Sequence, residues 1–159
     1  MFKSVDLIKL FFPQGGLEGP TQDDILALVN NLDQMQGLLI VDMKAPNQHN
    51  DCLDFLLSQN ILDQLVTSSS LSGLYSNILK VEQLKMFEML LSNAPHSKLL
   101  THEPFLRPLL RLLTSCINEC FPADIEKRLI LLLNQLCVCL TQNPSYLDLL
   151  FTESLGPGR

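Results

Sequence analysis

Five cysteines and three histidines are the residues of this chain best suited to chemistry, and their spacing decides how much they can do. Cys116 and Cys120 stand one helical turn apart, while Cys137 and Cys139 straddle Val138. A zinc site built from protein ligands needs a CxxC-like knuckle joined by a second pair of Cys or His. No histidine stands at a supporting distance from either pair, so these thiols, and Cys52 with them, are read as small buried hydrophobes. His49, His96 and His102 fall in or beside stretches of turn composition. His102-Glu103 begins like a zinc-binding HExxH helix, but Pro104 follows and the second histidine is missing. One hydrolase arrangement is left to weigh, a metal held by His96, His102 and nearby carboxylates, and it ranks below surface or capping roles for the same histidines.

The other chemical signals are weaker still. No GxSxG turn raises a serine into a nucleophile position. Gly15, Gly16 and Gly19 form a glycine cluster without the lysine of a phosphate-binding loop or a strand before it, which reads as a flexible connection. Lys98, Arg107 and Arg111 could make a small basic strip able to meet an acidic partner, but a solvated helix face is the favoured account. Phe2, Val5, Ile8, Phe11 and Phe12 give the N-terminus an amphipathic character. With only Lys3 and Lys9 on its polar side it is expected to dock on the rest of the chain rather than on a membrane. No catalytic, cofactor-binding or metal residue is assigned, and the chain is read as non-enzymatic.

The elements that would position these residues are helices. Breaker-rich stretches at 13–20, 44–50, 67–73, 93–97, 121–123 and 141–144 divide the sequence into segments of helical length. Over 21–43, Thr21 is a candidate N-cap with Asp24 three positions on, and Ile25, Leu28, Leu32, Met35 and Leu39 recur at spacings of three and four. Asn50 or Asp51 opens a segment through Leu65, with a kink expected near 58–60. The stretch 71–92 reads as an amphipathic helix with Glu82 and Lys85 outside its apolar stripe. Pro104 suits a first helical turn, and Pro108 is close enough to the start to be tolerated. The stretch 122–142 is apolar almost all round and is expected to be the central core helix, covered on more than one side. Asn143-Pro144 announces a last short helix. Strand patterns are scarce, so the fold class is all-α, with antiparallel helical hairpins either bundled or stacked as an α-solenoid of ARM/HEAT-like character.

Composition narrows the function classes. The chain of 159 residues carries 11 basic against 17 acidic residues, a net charge of -6, and the basic residues are scattered. Phosphate binding depends on clustered Lys and Arg, so a nucleic-acid binder is disfavoured. The hydrophobic fraction is 47% against only 18% charged residues. That leaves too little charge to wet every face, and some apolar surface is expected to await a partner. No stretch reaches the roughly 20 apolar residues of a membrane span, and five cysteines without a secreted-scaffold pattern suggest a reducing, cytoplasmic setting. One helical domain is expected over 1–155, comprising an N-terminal helix and loop over 1–20 and core helices over 21–155, with a disordered tail at 156–159.

Three stretches carry a resemblance: DCLDFLLSQNILDQL (51–65), VEQLKMFEMLLSNAPHSKLLTHEPFLRPLLRLL (81–113) and LILLLNQLCVCLTQNPSYLDLLF (129–151). Their order and wording resemble the N-terminal region of the FTS- and Hook-interacting protein (FHIP) family. The resemblance implies an α-helical solenoid that joins a Hook-type adaptor to FTS, an inactive ubiquitin-conjugating-enzyme-like partner, and couples early endosomes to dynein. It further implies recognition of a Rab GTPase, a peripheral place on early endosomes, and a role without cofactor or enzymatic activity. Partner-binding residues stay unassigned. A solenoid interrupted after the Pro144-initiated helix is expected to leave Leu147, Leu150 or Phe151 partly exposed, because repeat arrays bury each unit against the next.

Overall fold

The computed structural model describes residues 21–46, 49–71, 73–94, 99–117 and 119–155. The amphipathic stretch 1–20, the tail 156–159, His96 and Lys98 lie outside them. Among the described residues seven α-helices follow one another: α1 (Gln22–Lys44), α2 (Asp51–Ser58), α3 (Ile61–Leu71), α4 (Ser76–Asn93), α5 (Glu103–Cys116), α6 (Ala123–Gln142) and α7 (Tyr146–Leu155). Two 3-10 turns, Gly73–Tyr75 and Leu99–Thr101, precede α4 and α5. The described residues contain no strand, as the expected all-α class requires.

Local chemistry sets the helix boundaries. The Thr21 hydroxyl accepts the Asp24 N–H at 3.3 Å while the Asp24 carboxylate accepts the Thr21 N–H at 2.9 Å, a reciprocal capping box that starts α1. The Thr21 N–H and, to a lesser degree, the Thr21 hydroxyl, which donates to the same carboxylate oxygen at 2.8 Å, hold the Asp24 carboxyl below the usual carboxylate range. α2 has no side-chain cap of its own at Asn50. Its free first-turn amides are instead satisfied from α1, where Asp42 Oδ2 accepts the N–H of Cys52 at 3.1 Å and of Leu53 at 3.2 Å. The kink expected near 58–60 is a full break. Asn60 takes a positive φ of 52°, a conformation that ends one helix and that asparagine tolerates better than most residues. α5 begins at Glu103 with Pro104 in its first turn and carries Pro108 inside.

The packing is that of stacked hairpins. α3 and α5 run parallel in one layer: Asn60 and Asp63 at the start of α3 share a cleft with Glu103 and Arg107 at the start of α5, and Arg111 farther along donates to Thr67 at 3.1 Å. α4 and α6 run parallel in the second layer. Lys80 near the start of α4 meets Glu119 and Phe121 just before α6, and Leu91 and Ala94 at the end of α4 lie by Cys139 and Gln142 at the end of α6. Two hairpins, α3–α4 and α5–α6, are thus superposed in register, which is the solenoid arrangement. α1 lies against α4 on the side away from α6, tied there by Lys85 to Asp33 at 3.3 Å.

α4 is therefore the central helix, and the expectation that α6 would be central is corrected. Packed by α1, α3 and α6, α4 buries Leu79, Leu84, Met86, Phe87, Met89, Leu90 and Leu91. It is not the one-sided amphipathic helix its periodicity suggests, because Lys80, Glu82 and Gln83 are buried as well. Each has a partner, as buried polar groups require. Lys80 pairs with Glu119 at 3.4 Å and stacks over the Phe121 ring at 4.7 Å; Gln83 donates to the Leu65 carbonyl at 2.6 Å; Glu82 pairs with Lys85 at 3.1 Å. The rings of Phe87 and Phe105, both fully buried, meet edge to face at 5.4 Å and join α4 to α5. α6, by contrast, buries only Ile125, Leu132 and Leu136 completely, since α4 covers a single side of it.

Candidate protein-interaction face

The residues singled out for chemistry do not converge. The five cysteines are unpaired. Cys116 is buried and Cys52 and Cys139 are half-buried, but Cys120 and Cys137 are exposed, which corrects the reading of all five as interior hydrophobes. Burial pushes the thiols of Cys52, Cys116 and Cys139 up, away from the reactive thiolate. His49 and His102 are exposed; His102 stands at the N-cap of α5 without a capping bond from its side chain. Among the described residues no group of three His, Cys, Asp or Glu is placed to hold a metal.

The basic strip is neutralised from within the chain. Arg107 pairs with Glu103 one turn earlier, and Arg111 reaches across to Asp63 and Thr67 on α3. These pairs line two shallow clefts. One of about 320 Å³ lies between Asn60, Asp63, Glu103 and Arg107, and one of about 300 Å³ between Ser76, Lys80, Arg111 and Ser115. Every cation in them already faces a carboxylate of this chain, so neither cleft offers an acidic group a free charge.

Large apolar side chains reach solvent at Leu26, Leu38 and Val41 on α1, at Ile117, and most densely on α6 and α7. On a helix of 3.6 residues per turn, Ile125, Leu129, Leu132, Leu136 and Cys139 share the side that packs on α4. The opposite side carries Ile130, Asn134, Cys137, Val138 and Thr141, with Lys127 at its start and Leu131 and Leu133 at its margins. Ile130 is 56% exposed and Val138 45%, and on α7 Leu147 is 42% and Phe151 66% exposed. The partial exposure expected of the last helix is thus observed. No charged residue interrupts the sequence from 129 to 147. An exposed helix side rich in large apolar residues, here grouped around Asn134 and uncharged beyond Arg128, marks a protein contact in a stable fold. Sequence periodicity registers this surface as a helix apolar all round but does not say how many neighbours α6 has.

With this geometry established, comparison with known proteins is informative. A family model described as retinoic acid induced 16-like protein (RAI16-like) matches residues 52–157. FHIP family protein GJ17503 of Drosophila virilis is 48% identical over 143 residues, covering 83% of this chain and 14% of that protein. FHIP family protein CG3558 of Drosophila melanogaster is 47% identical over 144 residues, with 83% and 14% covered. FHIP family protein GL19323 of Drosophila persimilis is 44% identical over 161 residues, and there the match reaches 94% of this chain. The chain belongs to the FHIP family. It spans about one seventh of the length of these curated relatives. Neither the family description nor the relatives' names carry an enzymatic activity. Among the described residues no helix is long and apolar enough to cross a membrane.

Proposed function

We propose that this chain is a non-enzymatic helical adaptor module of the FHIP type, a segment of the solenoid that joins Hook-type adaptors and FTS and links early endosomes to dynein. The observation that carries the reading is FHIP membership over most of the chain. It is supported by what the fold presents to solvent, which is helix surface and an open apolar face rather than a pocket with convergent reactive groups. Recognition by such a module works through helix faces. Association with the endosome is then peripheral, through the partners and a Rab GTPase, and the site of action is the cytoplasmic side of the vesicle.

Co-precipitation tests the proposal. The tagged chain, co-expressed with a Hook-type adaptor and FTS, is expected to retain at least one of them, with the full-length Drosophila melanogaster relative as the positive control. Retention by the control and by none of three independently tagged forms of this chain refutes an adaptor role for the segment.

A further inference from the structure

The uncovered side of α6 has a definite geometric meaning. In the hairpin α3–α4 the second helix is packed on both sides, with α1 on one and α6 on the other. α6 has α4 on one side and, among the described residues, no helix of the second layer on the other. α7 follows α6 as α5 follows α4. It also packs against the 3-10 turn Leu99–Thr101 at the start of α5, much as the start of α5 sits by the start of α3. That is the place of the next first-layer helix.

We infer that α7 is the first helix of a third hairpin, and that the uncovered side of α6 is the seat of that hairpin's second helix, an amphipathic helix running parallel to α6. Its contact face is largely apolar and uncharged with a polar group near its middle, since the seat presents Ile130, Cys137 and Val138 around exposed Asn134 and no charge lies between residues 129 and 147. The source of such a helix is visible in the family: most of each relative's length lies outside the matched stretch. The seat is therefore a junction between repeats, and the same helix added in trans to residues 1–159 should occupy it. A second copy of this chain is a poorer occupant, because a two-fold contact would set α6 against another α6 rather than complete a hairpin with α7. The inference rests on the stacking of the hairpins and not on the adaptor reading.

The probe is a synthetic peptide carrying the next helical segment after the matched stretch of Drosophila melanogaster FHIP family protein CG3558. It is expected to bind this chain at one to one in calorimetry. At nine-tenths occupancy it should slow maleimide labelling of exposed Cys137 by about tenfold, because labelling then follows the open fraction. A photo-crosslinker at the peptide's N-terminus should capture the start of α6 rather than its end. The double variant Ile130→Asp/Val138→Asp, changed only at exposed positions and checked for retained helicity by circular dichroism, should lose the peptide. Absence of binding, binding that survives the double substitution, or capture at the end of α6 overturns the inference. So does a stable dimer of this chain that the peptide fails to dissociate. The same variant in the Hook-type co-precipitation separates the two readings: partner retained with the peptide lost leaves the adaptor role intact, and peptide bound with no partner retained removes the adaptor role alone.

Discussion

Asp42 is a single side chain on which the joint between α1 and α2 depends, and Asp42→Ala measures that dependence. The carboxylate accepts two N–H groups from the first turn of α2, at 3.1 and 3.2 Å, in a partly buried setting. Asn50 supplies no capping bond there, so neither amide has a substitute acceptor on its own helix. Loss of a helix cap costs about 0.5–2 kcal/mol, and hydrogen bonds to a charged group contribute about 1.5–3 kcal/mol each when they cannot be replaced by water. Because these amides are only half-buried and water recovers part of the loss, about 2 kcal/mol is expected for Asp42→Ala. Asp42→Asn keeps one carbonyl acceptor and should lose about half as much. With a urea dependence of about 2 kcal/mol/M, Asp42→Ala should lower the unfolding midpoint by about 1 M. Hydrogen exchange at the Cys52 and Leu53 amides should accelerate while exchange in α4 changes only by the global loss. The double variant Asp42→Ala/Asn50→Asp, which offers α2 a local cap, should recover a good part of the midpoint. A midpoint within error of the parent, or unchanged exchange at Cys52 and Leu53, refutes the tertiary cap.

Other expectations follow from the same geometry. Burial holds the Glu82 carboxyl above the usual carboxylate range despite its pairing with Lys85. A carboxyl raised in the folded state favours the protonated form there, so its penalty is fully present above the folded value and fades as pH falls through it toward the ordinary 4.5. Glu82→Gln should therefore compare more favourably with the parent near neutral pH than near pH 4 in matched urea titrations, and a pH-independent difference would contradict the assignment. Phe87→Ala, which empties one half of the edge-to-face pair with Phe105, should cost about 3–5 kcal/mol, whereas Ile130→Ser on the open side of α6 should stay within about 0.5 kcal/mol; thermal melts compare the two. Asn60→Ala should cost about 1 kcal/mol at its positive φ, and Asn60→Gly should cost little, measured by the same melts. Binding of an apolar fluorescent dye by the folded chain should fall sharply in Ile130→Asp/Val138→Asp, and undiminished dye binding would place the open surface elsewhere.

The sequence was most legible where one local rule governed. The Thr21–Asp24 box, the stripe from Ile25 to Leu39 and the placing of Pro104 in a first turn are decided within a few residues, and they appear as expected. The break at Asn60 was legible only as a kink, because apolar spacing continues across it and nothing but the backbone conformation of one residue ends the helix. Long-range polar pairing was not legible. Gln83 finds the Leu65 carbonyl, Arg111 finds Asp63 and Thr67, and Asp42 caps α2, each across 10 or more residues of chain. Polar residues destined for burial look the same in sequence as those bound for solvent, so periodicity alone puts Glu82 on the solvent side of a helix that buries it. The candidate face was visible as composition, a low charge fraction and a leucine-rich segment, but not as a location.

The exchange of roles between α4 and α6 explains why. Periodicity reports the number of neighbours for which a helix is built, and packing reports the number it has. α4 carries Lys80, Glu82 and Gln83 and so reads as half-solvated, yet each of these groups meets a partner supplied by the surrounding hairpins and the helix is enclosed. α6 carries no charge after Arg128 and so reads as enclosed, yet Ile130 and Val138 face outward. In a self-contained bundle such a mismatch would be a defect, because exposed apolar helix surface promotes association. In a stacked array it is the ordinary condition of a helix at a repeat junction, whose composition answers to the complete set of neighbours. The apolar girth of α6 is thus a record of a second neighbour in its layer, and a peptide that occupies that position should make the sequence and the packing agree.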